Sequence, residues 1–377
     1  MAKHTLNQRE LNRATLARQF LLERSSLAPS VALEHLVAMQ GQVSNAPYIG
    51  LWTRLQDFQR ADLAALIERR EVVRASSLRC TLHLLRANDY FSIHPLLQPK
   101  FSRNLHIFAS HTPDFDLASF TAEMRAYIQE RPRTAAELRL RMAELYSGMG
   151  QPRIVDAVRI YLALVQTLPA GLWGFTGKPK HTEASSWLGP HATVREGGMQ
   201  DLFRRYLAAF GPATVQDFQA WSGLAGVKQA LDVQQLHLLT FRDEHGRELL
   251  DLPDAPRPPA DTPAPVRFLP DFDNLLFSHA DRSRVLAENV RTSLFVDNST
   301  CAAFLVDGFV RGRWKIKNKE SGAALSIETL DTLDEPTRQK LESEGRQLIA
   351  WVFGGTQPFE IEFRIANVSS VRNPQSA

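Results

Sequence analysis

A chain of 377 residues, 44% hydrophobic and 23% charged, has the make-up of a globular protein, and its length suits two or three compact units rather than one core. The net charge of +3 is too small to imply a polyanionic partner by itself, so any nucleic-acid surface must come from local clustering. Two cysteines, Cys80 and Cys301, are too few for a disulfide framework, and each lies in an apolar, strand-like run that reads as a buried thiol. No Cys/His cluster has zinc spacing and no HExxH pattern occurs, so neither a metal nor a cofactor is expected. The opening "MAKHTLNQRELNRATLARQF" is polar and helical, unlike a signal peptide, and no apolar run approaches ~20 residues; a cytoplasmic protein is expected.

Helical periods come first along the chain. "LNRATLARQFLLER" places Leu11, Leu16, Phe20 and Leu21 near one stripe, and "PSVALEHLVAM" does the same with Val31, Leu33, Leu36 and Met39. After "YIGLWTRLQ" and "DLAALIERR", the segment "VVRASSLRCTLHLLRA" turns β-branched and alternating, the order of a winged helix. Two later stretches, "RPRTAAELRLRM" and "GPATVQDFQAWS", share Pro-x-Thr-x-x-acid. In each the threonine can cap a helix and the acid three residues on can return the bond (Thr134 with Glu137, Thr214 with Asp217). Longer helical segments flank both, and strand or turn material follows both. "LPDAPRPPADTPAPV" holds six prolines and reads as a linker. Beyond it the character is β, apart from one helix with Asp334 as N-cap. The expected fold is α+β: tandem winged helices over 1–110, 111–190 and 191–255, then a small C-terminal β-rich domain over 256–377.

Charge gathers in a few places. In "FVRGRWKIKNK", Arg311, Arg313, Lys315, Lys317 and Lys319 alternate with Val310, Gly312, Trp314, Ile316 and Asn318, so a strand carries one basic row on one face. Such a row either protects an edge strand or tracks a phosphate backbone. Asp307-Gly308 upstream signals a hairpin turn. Arg74, Arg79, His83 and Arg86 lie in the first wing, and Lys178, Lys180 and His181 in a loop, where each is either a solvated side chain or a phosphate contact. "LPDFDNLLFSHADRSRV" reads as a turn with local salt bridges, because the glycine and further ligands of a calcium loop are missing.

Gln40 and Gln42 surround Gly41 where a hydrophobic helix should end. On a helix, residues two apart point ~200° from each other; in an extended segment they project together. Gly41 favours leaving the helix, so the local sequence permits convergence, although two amides also serve simply to satisfy loose backbone groups. The stretches "LNRATLARQFLL", "ALEHLVAMQGQ", "VRASSLRCTLHLL", "LPAGLWG", "AFGPATVQDFQAWSGL" and "RFLPDFDNLLFSHADRSRV", in this order, resemble the AlkZ/YcaQ family of winged-helix DNA glycosylases. The resemblance implies tandem winged helices with a C-terminal β domain, and excision of N-alkylated purines, interstrand cross-links included. It also implies a Gln-aliphatic-Gln catalytic motif, matched here by Gln40 and Gln42 with Gly41 in the aliphatic place. A C-terminal hairpin that probes DNA is implied too, for which Asp307-Gly308 and the basic row are the candidate.

Alkylation at N7 makes the purine a good leaving group, so a strong acid is unnecessary. A fixed negative dipole near the sugar and an oriented water suffice, and a glutamine carbonyl provides either. No lysine nucleophile is evident near the motif, which implies a monofunctional enzyme. The expected DNA contacts are Arg74, His83, Lys178, Arg311, Arg313, Lys315 and Lys317. The expected partner is double-stranded DNA with alkylated or cross-linked purines, bound by a monomer at the bacterial nucleoid. A winged-helix regulator or drug-sequestering protein that binds DNA without chemistry stays open as the other class.

Overall fold

The computed structural model describes residues 4–189, 197–231, 236–294, 302–319, 322–355 and 358–366; Cys301 lies outside them, and of Lys319 only the backbone is described. Helices and strands are mixed throughout, and among the described residues the strands form three sheets. No helix among them is long and apolar enough to cross a membrane.

Asn7 and Glu10 close a capping box at the start of the helix Gln8–Arg18. Leu11 and Leu16 are buried as their spacing predicts, but so are Asn12, Arg13, Thr15 and Arg18. A helix enclosed on most sides has to bond its polar groups within the protein. Arg18 donates to both carboxylate oxygens of Asp251, at 2.7 and 2.9 Å, and neither side chain is exposed. Asn12 donates to the carbonyls of Arg284 and Gly308, at 2.7 and 2.8 Å. The proline-rich segment is not a free linker, because the carbonyls of Pro256, Ala260 and Thr262 accept from Arg18, Arg9 and Arg13 of this helix.

The largest sheet has six strands in the order Met39–Gln40, Leu82–Arg86, Val72–Ser76, Leu164–Gln166, Lys180–Glu183, Arg133–Thr134. Val72–Ser76 pairs antiparallel with Leu164–Gln166, Arg74 opposite Gln166, so one sheet runs continuously from residue 39 to residue 183. A three-stranded sheet pairs Thr5–Leu6 with Leu239–Asp243, which continues into Glu248–Asp251. The third sheet joins five strands between Arg267 and Ile365; its long antiparallel pair is Phe309–Lys319 with Gly322–Thr329. The threonine-acid pairs Thr134–Glu137 and Thr214–Asp217 form capping boxes, and Asp334 caps the helix Glu335–Phe353.

Segment 29–90 belongs to two cores. Leu33, Tyr48, Leu51 and Leu63 pack with Phe268, Phe304, Leu325 and Leu348 of the C-terminal sheet and helix. Val73, Leu85 and Tyr90 pack with Phe203, Tyr206, Phe210 and Trp221 of the helices Met199–Phe210 and Val215–Ser222. Residues 105–164 form a separate core around Phe120, Met124 and Ile154. Met39 belongs to the first of these cores, and Val37 and Ala38 just before it to the second.

Removing the acid of a buried ion pair strands an uncompensated charge, which typically costs about 3–5 kcal/mol. Asp251→Ala should lower thermal stability by that order and Asp254→Ala, at an exposed position, by far less; equal melting temperatures would show that Arg18 needs no partner.

Candidate active site

The helix Pro29–His35 ends before the glutamines are reached. Val37, not Gly41, makes the turn: its φ is +67°, whereas Gly41 lies outside the left-handed region. Met39 and Gln40 are then extended and pair antiparallel with Leu84 and His83, and the Gly41 amide donates to the Leu82 carbonyl at 2.8 Å. Arg74, on the next strand but one, seals the arrangement, its Nε and Nη2 donating to the Gly41 carbonyl at 2.9 and 2.7 Å, while Nη1 donates to Gln166. Asn274 donates to the carbonyl of Ala38, and Asp273 holds Arg54 through two bonds of 2.8 and 2.7 Å. The "DFDN" turn is thus a clamp on the segment leading into Gln40.

Because the backbone is extended, the two glutamines project together: Gln40 Nε2 donates to Gln42 Oε1 at 2.6 Å. Gln40 is 6% exposed, while Gln42 is exposed. Arg79 Nη2 donates to Gln40 Oε1 at 2.7 Å. A guanidinium only donates, so this bond decides which end of the Gln40 amide is oxygen and, through it, which end of the Gln42 amide is oxygen. The Gln42 Oε1 keeps a second lone pair, and its Nε2 has no partner among the described residues. Burial holds the pKa of Arg79 and of Arg74 at about 10, below the usual arginine value, so both are charged at neutral pH. His83, opposite Gln40, is pushed down to about 3 by burial and then by Arg79, and is neutral. The site therefore offers two oriented neutral amides backed by the Arg79 and Arg74 cations.

The expected DNA contacts divide. Arg74 and His83 are 7% and 0% exposed, and they bond to Gly41, Gln166 and the Thr81 carbonyl. Lys178 is exposed, in a loop docked on the site: Ser44 donates to the Phe175 carbonyl at 3.0 Å and the Gly174 amide to Asn45 at 2.7 Å. The basic row lies on one strand face over buried Val310 and Trp314. Its arginines have acidic neighbours: Arg313 donates to both oxygens of Glu328, at 2.8 and 2.7 Å, and Arg311 lies 3.3 Å from Asp331. Lys315 is exposed and Lys317 half-buried. A cleft of about 720 Å³, lined by Asn45, Trp173, Asp271, Arg313 and Lys315, lies between this strand and the loop after Gln42.

Asp307-Gly308 is not a free hairpin tip. Asp307 meets Arg9 and Arg13, the Gly308 carbonyl accepts from Asn12, and a Cβ at Gly308 would sit 2.4 Å from Asn12 Oδ1. The other end of the same strand, toward Gly322, carries exposed Lys315 and half-buried Lys317. Cys80 sits in a tight turn with φ +62° rather than in a strand. Among the described residues, no three His, Cys, Asp or Glu side chains gather in a way that could hold a metal ion.

The family model described as DNA glycosylase AlkZ-like matches residues 33–351 of this chain. No curated protein sequence matches it. Among solved structures, Streptomyces sahachiroi DNA glycosylase AlkZ superposes with a TM-score of 0.73 at 19% identity, covering 96% of this chain and 100% of that one.

Two measurements check this geometry. A Cβ on Gly41 would lie 3.6–3.8 Å from Arg74, Leu84 and Pro47, ordinary contact distances, so Gly41→Ala should hold or raise stability by about 0.4–1 kcal/mol; a loss above that size in thermal unfolding would show a strained site. His83 and His181, both buried with pKa values near 3, are neutral when folded but ionise near 6.5 when unfolded. Their contribution is complete above about pH 6.5 and falls toward pH 3 by up to about 1.4 kcal/mol per pH unit each. A plot of unfolding free energy against pH that stays flat between 6.5 and 4.5 would contradict their burial.

Proposed function

Since the chain belongs to the DNA glycosylase AlkZ-like family, we propose that it hydrolyses the N-glycosidic bond of N7-alkylated purines in double-stranded DNA, including purines joined in interstrand cross-links. The observation that carries this reading is the oriented amide pair, Gln40 Nε2 to Gln42 Oε1 at 2.6 Å, with Gln42 at the surface. Gln42 is the member that meets substrate. Its carbonyl has one lone pair for the hydrogen of an attacking water, and the same negative dipole end steadies the oxocarbenium character that develops as the cationic purine leaves as a neutral base. Gln40 is the holder, tied on one side to Gln42 and on the other to Arg79.

Neutral groups suit this substrate. An N7-alkylated purine is already a good leaving group, whereas an undamaged purine would need a proton donor that this pair lacks. Among the described residues, no amine bonds to either glutamine side chain, which supports a monofunctional hydrolase without lyase chemistry. We read the helix groups with their strands at 1–110, 111–190 and 191–255 as tandem winged helices that carry the duplex. Lys178, Lys315 and Lys317 serve as phosphate contacts near the site, and the hairpin Phe309–Thr329 is the element directed at DNA. An exposed site at the surface suits cross-linked bases, which cannot swing into a deep pocket.

Single-turnover base release from an N7-methylguanine duplex and from a cross-linked duplex tests the reading. Gln42→Ala should lose about 100-fold or more, and Gly41→Ala should keep the wild-type rate. Wild-type protein that binds these duplexes but releases no base would sink the proposed reaction; full activity in both Gln40→Ala and Gln42→Ala would sink the site alone.

A further inference from the structure

Arg79 occupies an unusual stretch of backbone. Both Arg79 and Cys80 have left-handed φ, +53° and +62°, a conformation that costs non-glycine residues of order 1–3 kcal/mol each and persists only where the surroundings enforce it. Here the enforcement comes from a distant part of the chain. Arg79 Nη1 donates to the Trp221 carbonyl at 2.6 Å, at the end of the helix Val215–Ser222. Gly223 then passes so close that a Cβ on it would lie 2.8 Å from Arg79 Cα. The guanidinium also lies 5.7 Å from the centre of the Phe277 ring, in the turn that follows Asn274. Its remaining end reaches Gln40.

We infer that Arg79 is the positioning residue of the glutamine pair: by donating to Gln40 Oε1 it fixes the polarity of both amides, so that the carbonyl of Gln42 holds one orientation. The inference rests on the proposed use of Gln42. Two effects of the guanidinium compete. It polarises the chain of amides, which withdraws some electron density from the Gln42 carbonyl, but cooperative changes of this kind are about 10–30% per bond. Without it, the Gln40 amide can turn over, its nitrogen can no longer be relied on to meet Gln42 Oε1, and the Gln42 dipole can reverse. A reversed dipole has the wrong sign for a developing sugar cation, so orientation outweighs polarisation. Lysine is not an equivalent, because one ammonium on a flexible stem does not span Trp221 and Gln40 in the fixed fork of a guanidinium.

The test compares Arg79→Ala, Arg79→Lys, Gln40→Ala and the Arg79→Ala/Gln40→Ala double variant in single-turnover base release, with DNA affinity measured separately. Arg79→Ala should slow the chemical step by on the order of 10–100-fold, as removal of an orienting partner does, with duplex affinity unchanged, and added methylguanidinium should restore part of the rate. In the Gln40→Ala background, removing Arg79 should cost nothing further, because its effect passes through Gln40. Additive losses, or a loss confined to DNA affinity, would overturn the inference. If the wild type releases no base, the proposed reaction fails separately, and the side-chain amide NMR signals of Gln40 decide the positioning role: Arg79→Ala and Arg79→Lys should both shift and broaden them, and unchanged signals in both would overturn it. If Arg79→Ala does not fold, Arg79→Lys carries the same comparisons.

Discussion

Two residues of β pairing decide the character of this protein. Met39 and Gln40 give up the helix and pair with Leu84 and His83, and that choice turns two amides ~200° apart into neighbours 2.6 Å apart. So short a strand has little stability of its own. It is held by bonds to carbonyls rather than by its sequence: Asn274 on Ala38, the Gly41 amide on Leu82 and Arg74 on Gly41.

Arginine recurs at these supports because its fork can satisfy several carbonyls at once while burying a long stem. Arg18 joins Asp251 with the Leu207 and Pro256 carbonyls, Arg54 joins Asp273 with Gly50, and Arg284 reaches the Pro212 carbonyl. Each ties segments far apart in sequence. A core of oily contacts alone would tolerate small slips between units; these bonds, with donors and acceptors that are costly to leave unmade when buried, hold one registration. For a site built on amide orientation, that registration matters more than total stability.

Local features of the fold were legible from sequence because their causes are local. The capping boxes at Thr134 and Thr214, the cap at Asp334 and the alternation of the basic strand all depend on residues within a few positions of one another. The sequence is least informative where a partner lies far away. Alternation in "VVRASSLRCTLHLL" shows that a strand has two faces, but not that Leu164–Gln166 and the glutamine segment cover Arg74 and His83. Asp307-Gly308 has every mark of an exposed turn, and only Arg9, Asn12 and Arg13, some three hundred positions earlier, bury it. The glutamine pair itself was legible only as a possibility of spacing, since Val37, which makes the turn, carries none of the usual marks of a left-handed residue.

The pairing of Thr5–Leu6 with Leu239–Asp243 has a bearing on how the molecule comes into being. During synthesis the first helix emerges long before Asp251, and longer still before Asp307, so its buried arginines wait without partners. The glutamine segment likewise waits for Asn274. Residues 105–164, with a core of their own, can collapse early, but the glutamine arrangement closes only once Asn274 has been made. The amide pair thus gains its support late, in a step that joins segments more than two hundred positions apart.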